Sequence, residues 1–315
     1  MTSVGLIIND KSNRSAAVID DLLHVAHRSN SVRSEVLDGI QGLGKALSSM
    51  NASKVDTLII AGGDGTLQAT FTDMINNRRF DLAPHYVALP CGMTNVIAKD
   101  CGLKGAPAKS LDNFLWRRQK GEVSPLSRPL LSVGIGEQDP IHGFFLGAGA
   151  FYSAVKFSRS DIQPKGAKRS LALVLSVLSY IMKVATDPNN TFDPVDLKFL
   201  DGAPAEISAD GLRSLFMATT LSKLGSGIFP FWGDEPGAMA ATLIDHPIQK
   251  VISAALPALR GKERPWFKEY GYRSWRSDRM ALNIDGPFVF DGEIFHADKA
   301  QPTSLETTHN VKFLS

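Results

Sequence analysis

An apolar segment runs directly into a glycine-rich turn in the stretch Val55-Asp56-Thr57-Leu58-Ile59-Ile60-Ala61-Gly62-Gly63-Asp64-Gly65-Thr66. The apolar half predicts a buried strand, and the apolar residues at 67, 71, 74 and 75 predict a helix over Thr66–Asn77. Glycines in such a turn let the backbone come close to a ligand, and the helix N-terminus directs N–H groups and a partial positive charge toward it. This geometry suits a phosphate group.

A carboxylate inside the turn changes that interpretation. Asp64 would repel a bound phosphate unless a cation or a donor hydroxyl lay between them. The turn therefore indicates phosphoryl transfer and not only phosphate binding. The alternative is a turn that only reverses the chain, because a glycine pattern by itself is a weak signal.

Composition excludes several classes of protein. A chain of 315 residues with 43% hydrophobic and 21% charged residues predicts an ordinary globular protein of two domains, and the net charge of +2 argues against a nucleic-acid partner. Cys91 and Cys101 are too few for a disulfide framework or a zinc site, and we interpret them as small buried hydrophobic residues.

The start of the chain lacks a basic signal segment, and the apolar stretch Leu171–Val184 is too short to span a bilayer. We expect a cytoplasmic protein.

Strand-like and helix-like segments alternate over residues 1–125, which predicts a doubly wound, Rossmann-like α/β domain. The predicted strands are Val4–Asn9, Ser31–Leu37, Val55–Ala61 and Tyr86–Leu89, and the predicted helices include Arg14–Ser29 and Pro107–Lys120.

Short strand-like runs dominate residues 126–300 and predict a second, β-rich domain, either an antiparallel sandwich or a twisted sheet. Helices are predicted there at about 166–185 and 246–260. In the terminal segment 301–315, Val311–Leu314 predicts either a last strand or a segment that packs back on the first domain. The strand-like runs include Pro129–Ile135, Ile141–Leu146, Leu212–Leu221, Met280–Ile284 and Pro287–Phe290.

Two further polar loops follow predicted strands of the first domain. One is Asn9-Asp10-Lys11-Ser12-Asn13, and the other is Pro90-Cys91-Gly92-Met93-Thr94-Asn95. Each alone could be a capped turn before a helix. Together with Gly62–Thr66 they would ring a single crevice at the carboxyl ends of the strands.

A second acidic turn, Phe290-Asp291-Gly292-Glu293, lies late in the chain. Asp-Gly is a strong hairpin signal, so a plain turn is one interpretation. The other is that one carboxylate takes the proton from an attacking hydroxyl, while its neighbour orients that hydroxyl or helps to hold a cation.

Three of these segments, Gly62–Thr66, the Pro90–Asn95 loop and Asp291-Gly292-Glu293, in this order and spacing, resemble the catalytic domain of the diacylglycerol kinase family. That family includes bacterial lipid kinases and the sphingosine and ceramide kinases. The Gly62–Thr66 element is shared with NAD kinases and phosphofructokinases, and the late Asp291-Gly292-Glu293 favours the lipid kinases. The resemblance implies an N-terminal nucleotide-binding domain, a β-rich C-terminal domain, and an active site in the cleft between them. It also implies ATP and Mg²⁺ as cofactors and a lipid as the substrate.

The resemblance also implies roles for individual residues. Asp64 is expected near Mg²⁺, directly or through water, and Asp291 and Glu293 would supply the base and its orienting partner. An Asp64→Asn substitution is expected to abolish transfer and leave the fold intact. The residues that would bind the nucleotide are Asn9 and Ser12 on its phosphate side, Gly62, Gly63, Asp64, Gly65 and Thr66 in the central loop, and Gly92, Thr94 and Asn95 in the third loop.

This sequence departs from the family pattern at three places. The first loop usually reads Asn-Pro-x-Ser-Gly, but Asp10 and Asn13 replace the proline and the final glycine. The third loop commonly carries Asn-Asp, and here it reads Asn95-Val96. The stretch Glu235–Ala240 lacks the Asp-Gly-x-Leu-Asp element that serves an auxiliary Mg²⁺ in bacterial members.

Two alternatives to a lipid kinase stay open. One is a kinase for a soluble hydroxyl compound such as NAD, and the other is a nucleotide-binding regulatory protein without turnover. Basic residues beside the apolar helix 171–184 could form a peripheral membrane contact, but a solvated face next to a core helix is the favoured interpretation. The basic run Arg260–Arg279 contains several acids and is interpreted as ordinary surface. The basic residues beside the apolar helix are Lys156, Arg159, Lys165, Lys168 and Arg169.

Overall fold

The computed structural model describes residues 3–12, 17–29, 31–92, 94–161, 193–207, 210–225 and 228–315. The helix predicted at about 166–185 and the basic residues Lys165, Lys168 and Arg169 lie outside these ranges. The chain divides into two compact units. Unit 1 comprises Met1–Arg128, Ile141–Gly143 and Asn310–Ser315, and unit 2 comprises Pro129–Pro140 and Phe144–His309.

The described strands are β1 (Ser3–Asn9), β2 (Val32–Leu37), β3 (Val55–Gly62), β4 (His85–Pro90), β5 (Pro125–Pro129), β6 (Leu131–Ile135), β7 (Ile141–Gly143), β8 (Phe145–Gly149), β9 (Val195–Asp201), β10 (Asp210–Thr219), β11 (Met239–Asp245), β12 (Tyr272–Ser277), β13 (Arg279–Phe290), β14 (Glu293–Ala297), β15 (Pro302–Glu306) and β16 (Asn310–Leu314). The described helices are α1 (Ile19–Arg28), α2 (Leu43–Ala52), α3 (Asp64–Asn76), α4 (Val96–Cys101), α5 (Pro107–Gln119), α6 (Ala150–Asp161) and α7 (Val251–Leu259).

Unit 1 is built on a six-stranded sheet in the order β2-β1-β3-β4-β16-β5. Neighbours from β2 to β16 run parallel. The chain passes from β1 to β2 on one side and returns to β3 on the other, so the direction of winding reverses between β1 and β3. Ligands of open α/β sheets bind at the carboxyl ends of the strands at such a switch point. Asn9 ends β1 and Gly62 ends β3, and the predicted doubly wound fold is confirmed.

The sheet of unit 1 is buried on both faces, as parallel sheets usually are. On one face, alternate residues of β1, β3 and β4 pack with α1 and α5, and Phe114 of α5 is fully enclosed. On the other face, the ring of Phe71 from α3 stands edge-on to Tyr86, with 5.0 Å between ring centroids. Phe313 of β16 joins this cluster, so Val311–Leu314 is part of a strand in the first sheet.

Unit 2 is β-rich, as predicted. Antiparallel strands follow one another in the order β12-β11-β10-β8-β13-β15-β6, with β9 and β14 paired to members of this path. The longest strand, β13, pairs with β15 and β9 over its first half and with β8 and β14 over its second half. We expected two separate strands here, because Asp285-Gly286-Pro287 contains strand breakers. Pairing along both halves keeps the strand continuous, with Gly286 at φ 119°.

The other differences from the predicted elements are local. The apolar run Pro129–Ile135 spans the end of β5 and the whole of β6, and Ile141–Leu146 divides into β7 and β8. The helix α4 begins at Val96, directly after the helix start expected at Thr94 and Asn95, whereas the helix α6 was not predicted. No helix in the described part of the chain is long and apolar enough to cross a membrane.

Candidate active site

The turn after β3 is tight. Gly63 is the N-cap of α3 in an extended conformation, with φ −90° and ψ −178°. A Cβ atom on Gly62 would lie 2.5 Å from the Cβ of Thr66, so the turn has no room for a side chain at that position. The first N–H groups of α3 have no acceptor within the helix, as at any helix N-terminus. They are the kind of donor that binds an anion at this end of the sheet.

The first loop is hydrogen-bonded to this turn through Asn9. Its Nδ2 donates to Oγ1 of Thr66 at 2.7 Å, and both side chains are buried. The Oδ1 of Asn9 accepts from the backbone N–H of Lys11 at 2.9 Å. The carboxamide therefore fixes the path of its own loop and also the first turn of α3.

The first and third loops are joined by Ser12, whose hydroxyl donates to the carbonyl of Cys91 at 3.0 Å. The central and third loops meet at two glycines. A Cβ on Gly92 would lie 2.4 Å from the Cα of Gly63, and a Cβ on Gly63 would lie 3.2 Å from the Cα of Gly92. This close approach of two backbones explains why neither position carries a side chain.

Asp64 has a role that its sequence position did not reveal. Its Oδ2 accepts from the hydroxyl of Thr94 at 2.7 Å and from the N–H of Val96 at 3.0 Å, and its Oδ1 accepts from the N–H of Ile97 at 3.0 Å. Val96 and Ile97 are the first residues of α4, whose N-terminal N–H groups need acceptors. Asp64 thus caps a helix that begins about thirty residues later in the chain.

The third loop closes on itself through Asn95. This residue is in the left-handed conformation, with φ 51°. Its Oδ1 accepts from the N–H of Gly92 at 2.7 Å, and its Nδ2 donates to the carbonyl of Gly92 at 2.8 Å. The side chains of Thr94 and Asn95 therefore hold the loop in shape.

The structure brings all ten predicted nucleotide-binding residues together at one end of the unit 1 sheet. They occupy three consecutive strand ends, and direct contacts join every pair of loops. The partners that sequence reasoning missed are mostly backbone groups, such as the Cys91 carbonyl and the Val96 and Ile97 amides. These have no residue-type signature. Whether the ten residues bind a nucleotide stays a prediction.

Lys11 is a charged residue to which the sequence analysis gave no role. Among the described residues of the three loops it is the sole lysine or arginine. Its Nζ lies 3.0 Å from Oδ1 of Asp38, and this hydrogen bond, with the nearby Asp10 carboxylate, raises the pKa of the lysine. Lys11 therefore stays protonated, but the carboxylates of Asp38 and Asp10 balance its charge, so the first loop has no net positive charge.

The described residues do not form a protein cage for a metal ion. They contain no group of three or more histidine, cysteine, aspartate or glutamate side chains placed to hold one. Asp64, the predicted neighbour of Mg²⁺, already accepts three hydrogen bonds. A carboxylate has about four acceptor positions, so at most one remains. The donor set does not fit a protein-held metal, and Asp64 as a magnesium ligand stays a prediction.

The acidic turn of unit 2 is a hairpin between β13 and β14. Asp291 and Gly292 have φ values of 46° and 90°, and positive φ at both central residues is what a type I′ turn requires. Asp291 is buried, and its Oδ2 and Oδ1 accept from the N–H groups of Phe144 at 2.9 Å and Phe145 at 3.0 Å. The Asp291 carboxylate therefore anchors the hairpin to the start of β8.

Glu293 differs from Asp291 both in exposure and in hydrogen bonding. It is the first residue of β14 and its backbone pairs with Phe290, which closes the hairpin. Its side chain is exposed, and no hydrogen bond or ion pair to it occurs in the described part of the chain. Of the two acids predicted as base and orienting partner, Glu293 has the more accessible carboxylate.

Comparison with known proteins agrees with the resemblance. Residues 3–124 match the family model of the diacylglycerol kinase catalytic domain. No protein with curated annotation matches the sequence. A crystal structure described as a putative diacylglycerol kinase from Bacillus anthracis strain Sterne is 15% identical, with a TM-score of 0.65 over 99% of this chain and 96% of that chain. Another, described as a diacylglycerol kinase from the same strain, is 16% identical, with a TM-score of 0.59 over 98% of this chain and 96% of that one.

The structural likeness at this level of identity is one of fold, and the match to the family model covers most of unit 1. A domain of this kind implies a phosphotransferase with ATP as the phosphate donor. Residues 3–124 thus match the diacylglycerol kinase catalytic domain, a domain of the superfamily of lipid kinases and NAD kinases.

Proposed function

We propose that this protein is an ATP-dependent kinase that phosphorylates a hydroxyl group of a lipid, of the diacylglycerol or sphingoid type. The observation that carries the proposal is the set of three interlocked loops at the switch point of the unit 1 sheet. Phosphoryl transfer depends mainly on positioning and on stabilising charge, and needs little covalent chemistry from the protein. Three loops that hydrogen bonds hold in place, and that offer backbone N–H groups to a phosphate, can provide both the positioning and the charge stabilisation.

The donor side of the reaction falls to unit 1. Gly63 and Gly65 of the central turn have no side chains and are partly exposed, so a ligand could reach their backbone. The phosphates of ATP would lie against the N-terminus of α3, where the N–H groups and the helix dipole favour an anion. Mg²⁺, when bound with the nucleotide, would add positive charge at the phosphates. In this proposal Asp64 shapes the site by holding α4.

The acceptor side falls to Glu293. A general base must be able to reach the proton that it removes and must have a free lone pair for it. Both oxygens of Asp291 accept backbone hydrogen bonds, whereas the Glu293 carboxylate is exposed. We therefore assign Glu293 as the base that deprotonates the attacking hydroxyl and Asp291 as the residue that positions it through the turn.

A second candidate function is nucleotide binding without turnover. It is favoured by the same hydrogen bonds, because Asp64 and Asp291 each accept bonds that hold the fold. Under this alternative all the acids would be structural. The accessible carboxylate of Glu293 favours the kinase.

Transfer of radiolabel from [γ-³²P]ATP tests the proposal. The protein is incubated with total lipid extract, and in parallel with NAD and with glycerol as soluble acceptors. A labelled lipid product that Glu293→Gln does not form supports a lipid kinase. Label in NAD or glycerol alone would contradict the lipid assignment, and ATP binding without any labelled product would support the non-catalytic alternative.

A further inference from the structure

Helix α7 is unusual because both of its faces are apolar. It comprises nine residues, Val251-Ile252-Ser253-Ala254-Ala255-Leu256-Pro257-Ala258-Leu259, of which only Ser253 is polar. A surface helix of a globular protein normally carries polar or charged residues on its outer face. A helix that lacks them is either buried or in contact with an apolar partner.

The inner face of α7 is accounted for by the core of unit 2. Val251 and Ala254 are buried, and Ala254 packs in a cluster with Phe267 and Tyr272. The aromatic rings of Phe267 and Tyr272 are stacked at a centroid distance of 5.1 Å. This packing fixes the helix on unit 2 and determines which residues point outward.

The outer face is an apolar stripe in contact with solvent. Ile252 and Leu256, one helical turn apart, are 65% and 56% exposed. Ala255 and Leu259 lie on the same face at the i+3 and i+7 positions and are partly exposed. Exposed apolar residues are ordinary when isolated, but a continuous stripe on one helix face indicates a contact surface.

Positive charges surround this stripe. Residues 250–269 carry five lysines and arginines and two glutamates, a net charge of +3. Lys268 pairs with Glu206 at 3.7 Å, whereas Arg260, Lys262 and Arg264 are exposed and form no ion pair with a described carboxylate. The Nζ of Lys250, at the N-cap of α7, lies 3.8 Å from the ring centre of Tyr270.

An aromatic residue completes the pattern. Trp266 is partly exposed, and its ring centre lies 5.3 Å from the Nζ of Lys250. Tryptophan and tyrosine are enriched where a protein meets the boundary between lipid and water. Apolar side chains, flanking cations and interfacial aromatic rings together are the features of a helix that lies in a membrane surface.

We propose that α7 and its flanks, residues 250–268, form a docking surface for an anionic lipid bilayer. Ile252 and Leu256 enter the acyl boundary, and Arg260, Lys262 and Arg264 contact acidic headgroups. The charge favours lipid over a second copy of this chain, because a symmetric contact through this face would bring two surfaces of like charge together. Vesicle binding needs no turnover, so the proposal can fail or succeed independently of the kinase assignment.

Co-sedimentation with vesicles tests the surface. The full chain is mixed, without ATP, with vesicles of phosphatidylcholine alone and with vesicles that also contain about 30 mol% of the anionic lipid phosphatidylglycerol, whose negative surface attracts basic segments. Binding to the anionic vesicles and little binding to the neutral ones is expected. The double variants Ile252→Ser/Leu256→Ser and Lys262→Glu/Arg264→Glu should each bind the anionic vesicles at least about tenfold more weakly.

Matched controls come from unit 1. Leu82→Ser removes a leucine that is 85% exposed, and Lys45→Glu/Lys109→Glu makes the same change in net charge at two exposed lysines. Both should bind like the unaltered protein. Thermal unfolding checks that each variant is folded. We expect unchanged stability, because only outward-facing side chains are replaced.

Two results would overturn the proposal. One is unchanged binding of Ile252→Ser/Leu256→Ser to anionic vesicles. The other is a dimer in analytical ultracentrifugation that this variant converts to a monomer without any change in vesicle binding, which would assign the stripe to a second copy of the chain.

Discussion

The two acidic turns of this molecule resemble each other in sequence and differ in what surrounds them. Gly62–Thr66 joins a strand to a helix in unit 1, and Asp291–Glu293 joins two antiparallel strands in unit 2. In each turn a buried aspartate accepts two backbone N–H groups from a segment distant in sequence. Asp64 holds the start of α4 in this way, and Asp291 holds the start of β8.

The difference lies in the neighbours of each aspartate. Around Asp64, the first and third loops are bonded to the central turn, in which Gly63 and Gly65 are partly exposed and no further acid occurs. Beside Asp291, the exposed Glu293 follows after one glycine. Asp64 and Asp291 thus maintain the structure of their turns. In our proposal, backbone N–H groups bind the phosphates in unit 1, and the Glu293 carboxylate acts as the base in unit 2.

Glu293→Gln should give the largest effect. The amide cannot accept the proton of the attacking hydroxyl, and a general base contributes roughly 10²- to 10⁴-fold to a rate. We expect phosphoryl transfer to fall at least about a hundredfold with ATP affinity and thermal stability unchanged. The measurement is initial rate of labelled product, with ATP affinity from titration calorimetry.

A matched control for this variant is Glu306→Gln, which removes an exposed carboxylate from β15. It should leave the rate unchanged. Equal activity of Glu293→Gln and the unaltered protein would refute Glu293 as the base and would remove the functional difference between the two turns.

Gly92→Ala should have the next largest effect, on nucleotide affinity. The new Cβ would lie 2.4 Å from the Cα of Gly63, so one of the two loops must move. We expect ATP to bind at least about tenfold more weakly, because positioning by the loops depends on their close approach. Gly63→Ala, where the corresponding distance is 3.2 Å, should weaken binding less.

Gly134→Ala in β6 is the control for the glycine variants, because its Cβ would meet only the Ser304 hydroxyl. It should not alter ATP affinity. If Gly92→Ala binds ATP as tightly as Gly134→Ala does, the three loops are not the nucleotide site.

Asp64→Asn and Asp291→Asn compare the two anchors directly. Each substitution points an amide group at backbone N–H donors, and a buried donor without an acceptor costs about 1–3 kcal/mol. Amide exchange should accelerate at Val96 and Ile97 in the first variant and at Phe144 and Phe145 in the second, by roughly 5- to 150-fold in each case. Hydrogen exchange followed by mass spectrometry or NMR measures this locally.

This outcome differs from the expectation that Asp64→Asn leaves the fold intact. The structure predicts local loosening of α4 together with weaker ATP binding, because Asp64 joins the central loop to the third. Asp291→Asn should leave ATP affinity unaltered. Unchanged exchange at Val96 and Ile97 would show that the Asp64 contacts contribute little.

The sequence was sufficient for the architecture of unit 1 and for the residues of its loops. Strand ends and glycine turns are local signals, and parallel strands place their carboxyl ends at one edge of the sheet. The partners of Asp64 could not be predicted, because backbone N–H groups carry no residue signature and α4 has only six residues. To predict that Asp64 caps α4, one would need to know how the central loop packs against the third loop.

The second unit was harder to predict in detail. Gly286 and Pro287 predict the end of a strand, but pairing of β13 on both sides keeps the strand continuous. The sequence also left Asp291 and Glu293 as equal candidates for the base. Their difference arises from the N–H groups of Phe144 and Phe145, which lie almost 150 residues earlier in the chain.

Thr66→Val tests the single hydrogen bond between Asn9 and Thr66 in unit 1, for which we expect the smallest effect. The Thr66 hydroxyl accepts the Asn9 Nδ2–H at 2.7 Å, and valine keeps the shape of the side chain while removing that acceptor. A buried hydrogen bond of this kind contributes about 1 kcal/mol. The Asn9 side chain also holds the Lys11 amide through its Oδ1, so the Lys11 N–H should exchange roughly fivefold faster in the valine variant. Thr66→Ser keeps the hydroxyl and should exchange as the unaltered protein does. If the serine and valine variants exchange alike, the Asn9–Thr66 bond does not order the first loop, and the contacts of Ser12 and Asp64 alone join the loops.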